Sequence, residues 1–260
     1  MLHATYSRWK QQAVQGTPFL SIVVPVHNQA ADILSAIDAI GIHVSKLGID
    51  WELIVTDNSS RDRTVSVVES LDFANLYVLK ATRNSGKGSA VRRGILAARG
   101  NYVLLCGAED VTLIEQVRHF LHTLQNEGAD VAVGFQDTSA GAASPHQLSS
   151  MRAIASHGLQ IKSQGARSGF RMYTRRAAHH LHYAQVINTS SFDLEILYLA
   201  LKVGYKIHEI PVSRVKADSS KLDTRQLLRD VFKIKLNDIQ GVYNQRLNAH
   251  VNRGQANVLL

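Results

Sequence analysis

Residues 83–110 read RNSGKGSAVRRGILAARGNYVLLCGAED. A glycine turn (Gly86, Gly88) leads into a basic helix from Ala90 to Arg99. Gly100 stops that helix, and an apolar strand from Tyr102 to Cys106 follows, ending on Glu109 and Asp110. Glycines let a backbone approach a ligand closely and a helix start favours anions, so a phosphate-bearing ligand is expected here. The acids past the strand would then hold a cation or a sugar. Two common phosphate motifs do not fit. A Walker loop needs Ser or Thr directly after its lysine, but Gly88 follows Lys87, and no glycine stands five positions before Gly86. A dinucleotide fingerprint needs a small residue where this chain has Val91.

Outward from this stretch the pattern repeats. LSIVVPV (20–26), WELIVT (51–56), NLYVLK (75–80), YVLLC (102–106) and DVAVGF (130–135) are apolar runs without internal alternation, as in strands buried on both faces. Residues 29–47, 61–71, 87–99 and 112–126 between them carry helical spacing. Strand and helix in alternation predict an α/β, Rossmann-like, mostly parallel sheet with helices on both faces, and ligands of such sheets sit at the carboxyl ends of the strands. The polar clusters fall there: His27-Asn28-Gln29, Asp57-Asn58-Ser59-Ser60, Arg83-Asn84 and Glu109-Asp110.

Beyond a small polar loop at 137–145, the reading is a basic helix over about 150–163, a turn at Ser168-Gly169-Phe170, and a helix from Arg175. FDLEILYLALKVG is a second helix, and the strand YKIHEIPV is stopped by Pro211. Leu227, Leu228, Val231, Phe232, Leu236, Ile239 and Tyr243 recur at helical intervals among Arg and Lys, a stripe expected to pack on the domain. The organisation expected is an N-terminal extension (1–18), one domain (19–248) with a nucleotide half (about 19–136) and an acceptor half (about 146–248), and a loose tail (249–260).

The net charge is +8, which favours anionic partners such as nucleotide sugars, lipid phosphates or acidic membranes. Aromatics are only 7% and no aromatic-plus-glycine strand motif is present, which argues against nucleic acid. One cysteine, Cys106, rules out a disulfide within the chain and points to a reducing compartment. With no h-region at the start and no long apolar run, the expectation is a cytoplasmic protein that meets a membrane, if at all, at its inner face and from the surface. The twelve histidines have no carboxylates at ligand spacing and read as surface residues.

SIVVPVHNQ (21–29), IVTDNSSRDRT (54–64), the glycine-rich stretch (83–105), SGFRMYTRRAA (168–178), FDLEILYLALKVGYKIHEIPV (192–212) and RVKADSSK (214–221) together resemble glycosyltransferase family 2. Within that family the likeness is to dolichyl- and polyprenyl-phosphate sugar transferases. The resemblance implies a GT-A fold, inverting transfer of a sugar from a nucleotide diphosphate donor, and Mg or Mn on the diphosphate. It places Pro25, His27, Asn28 and Gln29 along the nucleotide, Asp57 and Asp62 at the base, and Lys87 and Arg92 near the diphosphate. Glu109 and Asp110 fall to the metal, and Asp193 and Glu195 to the reaction centre. Arg214, Ser220 and Lys221 match a phosphate-clamping loop, and Arg167 replaces a glutamine that bears on the acceptor. The chain departs from the family where Asp-Ala-Asp is usual: it has Gly107-Ala108-Glu109, and Gln29 replaces a glutamate. Two lost acids weaken metal binding. The expected activity is transfer to an acceptor most like polyprenyl phosphate. The alternatives are a soluble hydroxyl-bearing acceptor, for which a positioned Asp193 carboxylate would matter more, and a silent nucleotide-sugar binder.

Overall fold

The computed structural model describes residues 2–136, 158–161, 163, 165, 169–212 and 224–256. Seven strands form one sheet: β1 (Leu20–Val26), β2 (Trp51–Asp57), β3 (Leu76–Lys80), β4 (Tyr102–Leu105), β5 (Val131–Gln136), β6 (Arg171–Thr174) and β7 (Ile207–Val212). Their order is β3-β2-β1-β4-β6-β5-β7. β6 runs antiparallel to both its neighbours, and every other pairing is parallel. Described helices are α1 (Leu2–Gln11), α2 (Ile33–Val44), α3 (Thr64–Glu69), α4 (Lys87–Ala97), α5 (Val117–Asn126), α6 (Arg175–Ala184), α7 (Phe192–Lys202), α8 (Thr224–Ile239) and α9 (Val242–Ala256).

Uninterrupted apolar strands arise because both faces of the sheet are covered. Val23, Ile54, Val103, Leu105, Val133 and Tyr173 point into one core with α4, α6 and α7. Their alternate neighbours Ile22, Val24, Leu53, Val55, Leu104 and Met172 point into the other, with α1, α2 and α5. Gly94 lets α4 lie directly on the sheet, since a Cβ there would stand 2.4 Å from Val23 and 2.6 Å from Thr56.

Several expectations are corrected. The first eighteen residues begin with α1, which docks on the core: Trp9 stacks on Trp51 at 4.0 Å and donates its indole N–H to the Trp51 carbonyl at 2.7 Å. Asn75 fastens the end of α1, donating to the carbonyls of Trp9 and Gln12 and accepting from the Val14 amide. Pro211 does not stop its strand. It lies within β7, opposite Phe135, on an edge strand where a missing N–H is tolerated. β6 was not foreseen in the run RMYT. The amphipathic run from Leu222 is two helices, broken at Gly241 in the left-handed region (φ 72°), and residues 249–256 continue α9. The loop at 137–145 and most of the helix at 150–163 lie outside the described residues. Among the described residues no helix is long and apolar enough to cross a membrane.

Candidate active site

Parallel register brings the carboxyl ends of β1, β2 and β3 level, with Val26 opposite Asp57 and Asp57 opposite Lys80. Three loops leave these ends, and side-chain amides lace them together. Asn28 adopts a left-handed conformation (φ 54°), donates its amide N–H to Ser60 at 2.9 Å and accepts from the Arg61 amide at 2.8 Å. Asn58 donates to Asn84 at 2.8 Å and accepts from the Ser85 amide at 3.1 Å. His27 Nε2 lies 3.3 and 3.4 Å from the side-chain amides of Asn28 and Asn84. The amide of Gln29 donates to Thr64, while Gln29 Oε1 is buried without a hydrogen-bond partner among the described residues. Pro25 is a buried member of β1. The predicted nucleotide-binding residues of the first two loops are therefore brought together.

Their roles are more specific than the sequence implied. Asp57, 3% exposed, turns its carboxylate onto its own loop, accepting from the amide and hydroxyl of Ser60. These bonds hold the carboxylate against the loop that follows β2. Asp62 accepts from the amides of Ala30 and Thr64 and from the Thr64 hydroxyl, which together hold its carboxyl below the usual range. It ties the first loop to the second.

The glycine turn is likewise committed to the protein. Gly88 donates its N–H to the Asn188 carbonyl at 2.9 Å, Gly86 donates to Asn84, and Ser85 to Asn58. A Cβ at Gly86 (φ 96°) would stand 2.2 Å from the Asn188 carbonyl oxygen, and one at Gly88 would stand 2.7 Å from that of Ile187. These glycines admit the connection between α6 and α7 to the start of α4. The amide cradle expected for a phosphate is thus filled by protein carbonyls and side chains. What the helix start offers an anion is the side chain of Lys87.

Lys87 Nζ stands 3.2 Å from Glu109 Oε1, and both side chains keep about 30% exposure. Gly107 explains where Glu109 goes. Its backbone is ordinary and extended (φ −65°, ψ 152°), and a Cβ there would meet the Glu109 carboxyl group at 2.6–2.7 Å. The Glu109 carboxyl therefore occupies the space that an acidic side chain at 107 would enter. Asp110 turns elsewhere: it is 3% exposed, and its Oδ2 lies 2.5 Å from where a Gly169 Cβ would be. Among the described residues no three His, Cys, Asp or Glu side chains gather for a metal. One carboxylate beside the donor's own phosphate oxygens is a usual way of holding Mg²⁺, and among the described residues Glu109 is placed to offer one.

Asp193, expected at the reaction centre, opens α7 and pairs with Arg171 at 3.4 Å. Arg171 is fully buried at the start of β6 and also donates to the carbonyls of Asp193 and Gly165. This anchor was missed, hidden in a short apolar run; a lone Arg beside the Gly169-Phe170 turn was its one signal. Glu195 does not reach the site. Fully buried, it accepts from the amides of Val186 and Ile187 and from the Tyr243 hydroxyl, all within 2.7–2.8 Å, and burial pushes its carboxyl up. Arg92 is also elsewhere: half-buried, it donates to the His182 carbonyl at 3.0 Å and caps the end of α6. Glu195 lies on a buried stripe with Phe192 and Leu199, and Arg92 on one with Gly88 and Ile95, but Asp193 (with Ile196 and Leu197) and Lys87 (with Ala90 and Val91) do too, so helical spacing does not separate the two pairs. Arg167, Arg214, Ser220 and Lys221 lie outside the described residues.

His182 is not a surface residue. It is fully buried, its Nδ1 donating to Gln185 Oε1 at 2.8 Å, because Gln185 spends its amide N–H groups on the carbonyls of Gly88 and Ile187. Burial pushes its imidazole down to about 3. The folded state keeps this histidine neutral while the unfolded chain protonates it near pH 6.5. Its stability contribution is complete above pH 6.5 and is lost as pH falls toward 3. Linkage gives a loss of roughly 2 kcal/mol by pH 5. Urea unfolding between pH 8 and 5 should show that decline, and His182→Gln should flatten most of it.

The sheet order and the site at its carboxyl edge define a sugar-transferring enzyme of the GT-A kind. The family model described as Glycosyl transferase family 2 matches residues 21–182, and the chain belongs to that family. Its relatives include the dolichyl-phosphate beta-glucosyltransferase of Dictyostelium discoideum, 30% identical over 86% of this chain and 76% of the relative. The Saccharomyces cerevisiae enzyme of the same name is 28% identical with the same coverage. Among solved structures, glucosyl-3-phosphoglycerate synthase of Mycobacterium tuberculosis, in complex with Mn²⁺, UDP and glucosyl-3-phosphoglycerate, superposes with a TM-score of 0.62. That match covers 91% of this chain and 82% of the other at 18% identity, and it speaks for the fold.

Proposed function

We propose that this enzyme moves glucose from UDP-glucose to a polyprenyl phosphate of the dolichyl kind, with inversion, at the cytoplasmic face of a membrane. Similarity along 86% of the chain to enzymes named dolichyl-phosphate beta-glucosyltransferase supports the donor sugar and the acceptor. The observation in the site that carries the reading is the Lys87–Glu109 pair at the carboxyl end of the sheet. A part-exposed ammonium there meets the charge that develops on a departing diphosphate.

A phosphate monoester acceptor is largely ionised at neutral pH, so one of its oxygens attacks the anomeric carbon without a strong base. The new bond joins that oxygen to the anomeric carbon, and the bond from that carbon to the diphosphate breaks with its electron pair leaving on UDP. Lys87 offsets the leaving charge. A divalent cation held by Glu109 would supply Lewis-acid stabilisation at the same place. Asp193, fixed by Arg171, orients the acceptor side and need not take a proton.

The test is incubation with radiolabelled UDP-glucose and polyprenyl phosphate, or with soluble hydroxyl and phosphate acceptors. Label should pass into the organic phase only when lipid phosphate is present. Label transferred to a soluble acceptor while lipid phosphate stays inert would overturn the acceptor assignment.

A further inference from the structure

Helix α8 carries two apolar faces. Leu227, Val231 and Ile234 are buried against the domain. Leu228, Phe232, Leu236 and Ile239 are 50%, 69%, 39% and 82% exposed. At 3.6 residues per turn these four fall within an arc of about 80°. The single stripe expected from the sequence is therefore a packing face and a second face that packing on the described residues leaves open.

The charges of the helix are sorted in the same way. Its acids are engaged on the inner side: Asp230 accepts from Thr189 at 2.7 Å and from Gln226 at 3.0 Å. Asp238 accepts from Tyr198 at 2.6 Å and pairs with Lys202 at 2.8 Å. Arg225, Arg229 and Lys233 are exposed, the last two along one side of the apolar arc, and half-buried Lys235 borders the other. An apolar arc flanked by cations matches the boundary between acyl chains and acidic headgroups. A second copy of the chain would set like charges against each other across the same face.

We propose that this face of α8 docks the enzyme on an anionic lipid surface, with Phe232 and Ile239 entering the acyl boundary. The helix is tied to the site, because Asp230 holds Thr189 in the connection that lies on Gly86 and Gly88. Asp230 lies on the opposite side of the helix from the apolar arc, so docking would hold that connection about one helix diameter from the lipid surface. The inference rests on the proposed function only insofar as a lipid acceptor gives the contact a purpose.

The experiment is flotation of the full chain with vesicles of phosphatidylcholine, alone or with 30% phosphatidylserine, and no polyprenyl phosphate. Binding should require the anionic lipid and weaken severalfold in high salt. F232S/I239S should lose at least about tenfold in vesicle affinity while binding UDP as the parent does. Unchanged vesicle binding in that variant would overturn the proposal. So would a wild-type dimer that F232S/I239S dissociates without any vesicle binding, since a second copy would then cover the face. UDP titration separates the two readings: UDP binding without vesicle binding removes this inference alone, and vesicle binding without UDP binding removes the proposed donor alone.

Discussion

Lys87→Met should lower kcat/KM for sugar transfer by roughly 10²–10³-fold, the cost of removing one positioned charge from a developing anion. Methionine keeps the length of the side chain and the start of α4, and Lys87 is part-exposed, so the melting temperature should move little. UDP affinity should fall at least about tenfold, because Glu109 would then face the diphosphate with that ammonium gone. A companion variant, Gly107→Asp, probes the same charge balance from the other side. Its backbone is unstrained, and the atoms a new Cβ would meet are the movable end of Glu109. With a second acid beside Glu109, UDP binding should become more dependent on Mn²⁺, read by calorimetry with and without chelator. A Lys87→Met enzyme with parental kcat/KM would show that the ammonium serves only Glu109.

Glu195→Leu should instead strike the fold. The carboxylate is the acceptor for two backbone amides and a tyrosine hydroxyl, and stranding each of these donors costs about 1–3 kcal/mol. The sum is on the order of 4 kcal/mol, or roughly a 10 °C fall in melting temperature for a chain of this size. Burial raises the Glu195 carboxyl, so its titration favours the fold most in acid, and that contribution is lost as pH rises through the folded value. The three hydrogen bonds offset that cost at neutral pH. Glu195→Gln, which keeps one accepting oxygen, should lose less by differential scanning calorimetry. A Leu variant as stable as the parent would mean that the connection at 185–191 is held by other contacts.

Six strands and the sense of the sheet are legible, because a strand buried on both faces leaves a continuous apolar run between turn residues, although β3 and β7, at the two edges, are only partly buried, against the expectation for 75–80. β6 was not legible: four residues, one of them a buried arginine, are too few for any periodicity. The site was readable in its location and less so in its assignments. Lys87 and Glu109 stand where the order of turn, helix and strand put them. A family position gives Arg92 and Glu195 no direction, and helical spacing gives none either, since Lys87 and Asp193 also lie one turn from buried apolar residues. The glycines at 86 and 88 suggest a place for phosphate in the sequence, but a glycine records only that something comes close. Here that something is the backbone at 187–189. In the sequence Gly107 is a lost ligand; in the fold the Glu109 carboxyl lies over it.

The position of β6 bears on how the chain is made. β5 precedes β6 in sequence yet touches β4 only through it, and the other neighbour of β5 is β7, some seventy residues further on. As the polypeptide leaves the ribosome, β1 to β4 can assemble at once, while β5 emerges with both of its edges unsatisfied. It must wait for residues 171–174 before it has a place to pair. A truncated product ending near residue 136 would carry a bare apolar strand, open to adding itself to the edge of another molecule.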